Sequence, residues 1–219
     1  MRRTFLTAIA YFFLALVLTL PLALSIGNAV VDPVDPILNT WILAWEHRAL
    51  LTNPAEFFNT NIFYPYQETL LYSETLLVPS LLLLPIKLAT GNAIFTHNLL
   101  TLLGFTLTAT SGYLLGRWLF RNNWSGWVLG GVLAFNSYTL SNVGQAQLLH
   151  LEWLPLALLY LGKLQRVPKA RYALVMALFL ALQFYTVIYY GVFGFVVVGL
   201  VGGVVWLLQR YPTGRVQMQ

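Results

Sequence analysis

From Tyr172 to Leu208 the chain runs for 37 residues without a charged side chain. Backbone N–H and C=O groups in lipid must be satisfied within their own segment, so an uncharged run of this length folds as helix. As one helix it would reach about 55 Å at 1.5 Å per residue, well beyond a hydrocarbon core of about 30 Å. Two short spans joined near Tyr189, Tyr190 and Gly191 fit better. The rest of the chain has the same character, with 58% of residues hydrophobic and only 9% charged, against about a quarter charged in a soluble domain. The sequence therefore reads as an all-α, polytopic transmembrane helix bundle, one membrane domain over residues 1–219.

The first span covers residues 5–26, and its length marks an uncleaved anchor rather than a signal peptide. Arg2 and Arg3 before it hold the N-terminus in the cytoplasm. Residues 28–92 form an external first loop. Within it, Asp35 and Pro36 read as an N-cap and a first-turn proline, opening a helix that ends at Leu51. Trp41 and Trp45 share one side of this helix, while Asn39 and Glu46 fall on another. That pattern suits an amphipathic helix lying in the membrane interface. Residues 76–89 are apolar but broken by Pro79 and Pro85, and read as a short external or re-entrant segment. Spans at 93–116, 126–142 and 148–164 follow, then the two within 172–208. The result is about six spans with a cytoplasmic tail over 210–219. Arg117, Arg121, Lys163, Arg166, Lys169, Arg171, Arg210 and Arg215 all fall inside, as the positive-inside rule requires. A multi-pass plasma-membrane protein is expected.

Six of the seven acidic residues lie between Asp32 and Glu74. Ionisable groups are expensive near lipid, so their concentration in one loop points to use. The topology brings that loop to the same face as the turn from Gln145 to Trp153 and the turn from Tyr185 to Tyr190. Asp35 and Asp32 lead as chemical groups, against the plainer roles of helix cap and turn residue before proline. Glu46, Glu56 and Glu68 read as solvated interfacial charge, and Glu74 stays open. His150 and Glu152, two apart, point to nearly opposite sides of a helix, whereas Gln147 and His150 share a face. His47 and His97 read as interfacial. Tyr189 belongs to an aromatic belt or to a sugar-stacking surface. Soluble-enzyme signatures such as a phosphate loop, GxGxxG, HExxH or GxSxG do not occur. With no cysteine in the chain, disulfides and thiolate metal sites are excluded. The net charge of +5 is dispersed among helix ends and is not a nucleic-acid footprint. No cofactor is expected, and nothing in the sequence indicates a divalent metal.

Four stretches carry a family resemblance. They are the run from Asp35-Pro36-Ile37 to Trp45, Asn61-Ile62-Phe63-Tyr64-Pro65, Tyr72-Ser73-Glu74, and Gly144-Gln145-Ala146-Gln147-Leu148-Leu149-His150. Their order resembles the N-terminal portion of GT-C-type integral membrane glycosyltransferases, in particular bacterial polytopic proteins placed in that group by fold. The resemblance implies inverting transfer of a sugar from a polyprenyl-phosphate donor to an acceptor on the outer membrane face. It implies a first-loop carboxylate as base, with Asp35 first and Asp32 second. Arg48 and Lys87 are the external cations available to the donor phosphate, and Gln147, His150 and Tyr189 are candidate substrate contacts. Family members typically carry more spans, so the resemblance covers only the N-terminal part of the usual fold, as a module of a longer enzyme or a natural form without the half that completes the donor pocket. Two rival classes are a non-enzymatic membrane subunit packed with partner subunits in a larger complex, and a lipid or small-solute transporter.

Overall fold

The computed structural model describes residues 2–210, and every regular element among them is helical. The order is α1 (Arg2–Leu18), α2 (Asp35–Thr52), α3 (Leu77–Thr90), α4 (Ala93–Phe120), α5 (Asn123–Ala134), α6 (Ser137–Ser141), α7 (Ala146–Leu149), α8 (Trp153–Arg166), α9 (Ala170–Thr186) and α10 (Ile188–Arg210). Single 3₁₀ turns punctuate the chain after α1 and between α2 and α3. The tail over 211–219, with Arg215, lies outside the described residues.

The hub is α4, whose 28 residues extend about 42 Å. Its start is fixed by Asn92, whose side chain accepts the Phe95 N–H at 2.9 Å, an N-cap of the usual kind. Around it pack α1, α2, α3, α5, α7 and α8, while α9 and α10 add to the far side of α8. The contact between α4 and α5 is the closest. Gly112 and Gly116 on α4 face Gly126 and Gly130 on α5. A Cβ on Gly112 would lie 2.9 Å from the Gly130 Cα, and one on Gly130 would collide with the Ala109 carbonyl. Two glycines four apart on each helix let the backbones touch, the packing that membrane helices use where lipid offers no hydrophobic drive to associate.

Among the described residues two helices, α4 and α10, are long and apolar enough to cross a membrane. The other expected spans are interrupted. The first ends at Leu18, and a 3₁₀ turn over Leu22–Ser25 follows Pro21, which has no N–H to continue a helix. The stretch 126–142 divides between α5 and α6, where the Asn136 side chain accepts the Thr139 N–H at 3.1 Å and caps a new helix. The stretch 148–164 divides at residues 150–152, between α7 and α8. The uncharged run breaks near the expected place, at Val187 between α9 and α10. Residues 77–90 differ from expectation by forming one continuous helix that contains Pro85. Pro79 sits in its first turn, where the missing N–H has no intrahelical partner to lose. At 14 residues this helix reaches about 21 Å, less than a hydrocarbon thickness.

Helix α2 forms as expected, but most of its polar residues do not face water. Asn39, Glu46 and His47 are buried along with Ile42 and Leu43. Trp41 and Trp45 are half-buried, stacked with ring centroids 6.2 Å apart, and Trp45 donates its indole N–H to the Phe57 carbonyl at 3.0 Å. Glu46 is 0% exposed, which corrects its assignment as solvated charge. His47 and His97 are likewise buried rather than interfacial. The reason is tertiary: α3 and α4 pack on the side of α2 that the sequence pattern assigned to water.

Candidate functional site

The first loop is fastened to the start of α4 by two asparagines. Asn92 donates to the Gly27 carbonyl at 2.8 Å. Asn98, fully buried, donates to the carbonyls of Ile26 at 2.9 Å and Ala29 at 2.7 Å. These bonds fix an irregular segment whose own carbonyls would otherwise be unpaired, and they deliver Asp32. One Asp32 oxygen, Oδ1, accepts the Val34 N–H at 2.9 Å, an Asx turn. The other, Oδ2, rests against Gly144, where any Cβ would collide with it. A cavity of about 350 Å³ opens here. The break after α1, residues 29–32 and residues 140–144 line it, and Asp32 is the one ionisable residue among the described lining residues.

Asp35 opens α2 but does not cap it; the residue before it is Val34, and no side chain caps the helix. Its Oδ2 instead accepts from Gln145 Nε2 at 2.7 Å. One turn on, Asn39 Nδ2 donates to Gln147 Oε1 at 2.7 Å. These two rungs tie α2 to the approach to α7, across more than a hundred residues of sequence. Gln147 therefore faces α2 and does not share a site with His150. The carboxylates, Gly144 and both glutamines form one polar seam along the edge of the cavity.

His150 and Glu152 do meet, contrary to the helical expectation, because residues 150–152 are not helical. His150 Nδ1 lies 2.9 Å from Glu152 Oε1, and Nε2 lies 3.2 Å from the Leu100 carbonyl. Both ring nitrogens face acceptors, so the pair needs one proton more than a neutral imidazole beside a carboxylate supplies. The pair is buried and extends into a wider network. The Gln183 side chain donates to the His150 carbonyl at 2.9 Å and accepts the N–H groups of Trp153 and Leu154 at 3.2 Å. Thr108 donates to the Leu149 carbonyl at 2.9 Å. This network joins α4, α8 and α9 and does not line the Asp32 cavity.

The remaining candidates are dispersed. Arg48 is exposed with its guanidinium 5.8 Å from the Trp45 ring centroid. Lys87 donates to the Gly91 carbonyl at 2.6 Å and closes α3. Neither pairs with Asp32 or Asp35. Tyr189 packs edge-on against Tyr190 at 4.9 Å, and Tyr190 donates to the Leu148 carbonyl at 3.1 Å. Beside them, Glu74 Oε2 accepts the Ile188 N–H at 2.8 Å and caps α10. Burial pushes the Glu74 carboxyl above its ordinary value, partly offset by the backbone N–H groups of Ile188 and Tyr189.

Glu46 reads as solvated charge in the sequence, which misses its burial. Burial pushes its carboxyl up to about 7. The Ser80 hydroxyl and Leu76 backbone lie close enough to pull that value down, yet neither carboxyl oxygen is within hydrogen-bond geometry of a partner. The offset is therefore partial. Asn98 went unrecognised too, although an asparagine inside a long apolar helix is itself a signal, since a buried amide needs partners. Among the described residues, no three His, Asp or Glu side chains converge as a metal site would require. No protein-family model, curated protein or solved structure matches this chain.

Proposed function

We propose that the protein is a membrane glycosyltransferase, or the N-terminal module of one, that uses a first-loop carboxylate on the outer face. The observation that carries this reading is the Asp32 carboxylate held at the wall of a partly open cavity by the Val34 N–H. A general base must be fixed within hydrogen-bond reach of the proton it takes. Asp32 meets that condition better than Asp35, whose Oδ2 is engaged by Gln145, so the order of the two is exchanged. Asp35 then acts as a positioning residue that holds the Gly144–Gln147 strip against the loop. In the reaction, the acceptor oxygen attacks the anomeric carbon and its proton passes to Asp32. The bond to the polyprenyl phosphate breaks with its electron pair leaving on the phosphate. That leaving group needs no proton, so one carboxylate suffices.

Membrane residence is supported by α4 and α10 and by exposed apolar side chains along α1 and α10, including Phe5, Phe13, Phe193 and Leu200. Such surface in a soluble monomer would be unusual. We read α9 as a short span, and the interrupted pairs α5–α6 and α7–α8, and α1 with its 3₁₀ turn, as broken spans; with α4 and α10 they complete a six-span bundle with a cytoplasmic N-terminus. Cysteines placed at residues 60, 120 and 167 test this, because only residue 60 should react with a membrane-impermeant thiol reagent from outside. For the chemistry, Asp32→Asn should lower transfer from polyprenyl-phosphate sugars in vesicles by about 10²–10⁴-fold. Unchanged transfer in Asp32→Asn would sink the base assignment, whatever Asp35→Asn does.

A further inference from the structure

At the opposite end of α4 from the first loop, its last turn converges with the last turn of α8. A cleft of about 600 Å³ lies between them, lined by Arg117, Arg121, Lys163 and Arg166 around Trp118. No Asp or Glu occurs between Glu74 and Glu152 or anywhere after Glu152, and none of the four cations forms an ion pair among the described residues. Basic residues in a last helical turn are ordinary complements to the helix dipole. Two helix ends of about −0.5 charge each offset only about one of four positive charges, so the cleft stays strongly cationic.

Three further features make it a shaped site rather than a scatter of surface charge. Arg166 stacks over the Trp118 ring at 4.2 Å, and Gly162 leaves the indole no clearance on that side, since a Cβ there would meet Trp118 ring atoms. The indole and one cation are thus fixed together. A second groove of about 410 Å³ shares Trp118 and Arg166 with the cleft and runs away from it along apolar side chains, among them Leu119, Leu158, Val201 and Val205. Arg121 adopts a left-handed conformation (φ 54°) at the end of α4. Glycine is the favoured residue at such a cap, so a side chain is kept there against a backbone preference.

A cationic cleft continuous with an apolar groove matches a ligand with an anionic head and an acyl tail. We propose that this end of the bundle binds one anionic glycerophospholipid of the cytoplasmic leaflet, its phosphate among Arg117, Arg121, Lys163 and Arg166 and an acyl chain in the groove past Trp118. The leaflet assignment rests on the topology proposed above. Basic pockets between helices are the known chemistry for holding lipid phosphates.

The full chain in phosphatidylcholine nanodiscs, titrated with phosphatidylglycerol, tests the site. Native mass spectrometry should show one retained phosphatidylglycerol per chain, and glycerol 3-phosphate should not compete at equal concentration. The double variant Arg117→Gln/Arg121→Gly should bind about 25-fold more weakly, at about fivefold per charge. It should keep its thermal midpoint in phosphatidylcholine alone, because glycine suits the left-handed cap. Lys169→Gln, outside the cleft, should bind as the parent does. Equal retention of both lipids, or equal retention by the double variant, overturns the site. Effective competition by glycerol 3-phosphate overturns the lipid in favour of a free anion. Labelling of Val167→Cys in oriented vesicles separates the two proposals. Retained lipid with residue 167 outside overturns the leaflet, and lost lipid with residue 167 inside overturns the site.

Discussion

Replacing Glu46 with glutamine isolates the effect of a buried, unpartnered carboxyl. Its folded value of about 7 stands against an ordinary 4.5. The folded protein therefore holds a proton that the unfolded chain releases between those values, and stability falls as pH rises through that window. The gap is about 2.5, and at about 1.36 kcal/mol for each unit the full loss is about 3 kcal/mol. Below about pH 4.5 both states are protonated and nothing is lost. Most of the change, about 2.5 kcal/mol, falls between about pH 5 and pH 8. His47, the neighbouring residue, works the other way. Burial lowers its value, so its contribution to stability grows as pH rises toward about 6.5 and is complete above it. The wild-type curve mixes the two, and only its difference from Glu46→Gln separates them. Glutamine carries no titratable proton, and its own unmet hydrogen bonds cost the same at every pH. Thermal unfolding in detergent should show the variant gaining about 5–10 °C over wild type between about pH 5 and pH 8. Parallel curves would mean that Glu46 is ionised or hydrated in the folded state, and the burial argument would fail.

Other substitutions test the packing and the seam. Gly130→Val should destabilise by at least about 1–3 kcal/mol through overpacking, while Gly131→Ala, where a Cβ meets nothing within 4 Å, should be neutral or stabilise by up to about 1 kcal/mol. Equal midpoints for the two would refute the close α4–α5 approach. A double-mutant cycle on Asp35→Ala and Gln145→Leu should give a coupling of about 1.5–3 kcal/mol, the range for a hydrogen bond to a charged group. Asn98→Ala should raise amide hydrogen exchange across residues 26–32 without a matching change in α10, since it removes both bonds that hold that segment.

How far the residues alone reach is clearest in particular elements. Uncharged runs and proline positions locate α2, α4 and the division between α9 and α10, because backbone satisfaction in lipid and the missing proline N–H act locally. The same rules miss the breaks at Asn136 and at residues 150–152. There a side-chain cap, or a set of polar partners from α4 and α9, outweighs a helix-forming run. Asp32 and Asp35 stand out in the sequence by their charge and spacing, and so does the strip from Gly144 to Gln147. That Asp35 reaches Gln145 while Asp32 faces a cavity is a matter of which segments meet.

The chain by itself determined a helical protein with six of its seven acids gathered before α3 and its uncompensated cations at the far ends of α4 and α8. Charge, hydropathy and proline are properties of single residues and short windows, so they survive without a fold. Only the tertiary structure decided that the polar stripe of α2 faces inward and that Glu46 lies buried without a partner. It also decided that His150 meets Glu152 and that Arg166 stacks on Trp118 at the mouth of an apolar groove. Each of these depends on which helix packs against which face. A helical wheel names the faces, and the energy of burying one of them is settled by partners more than thirty residues away.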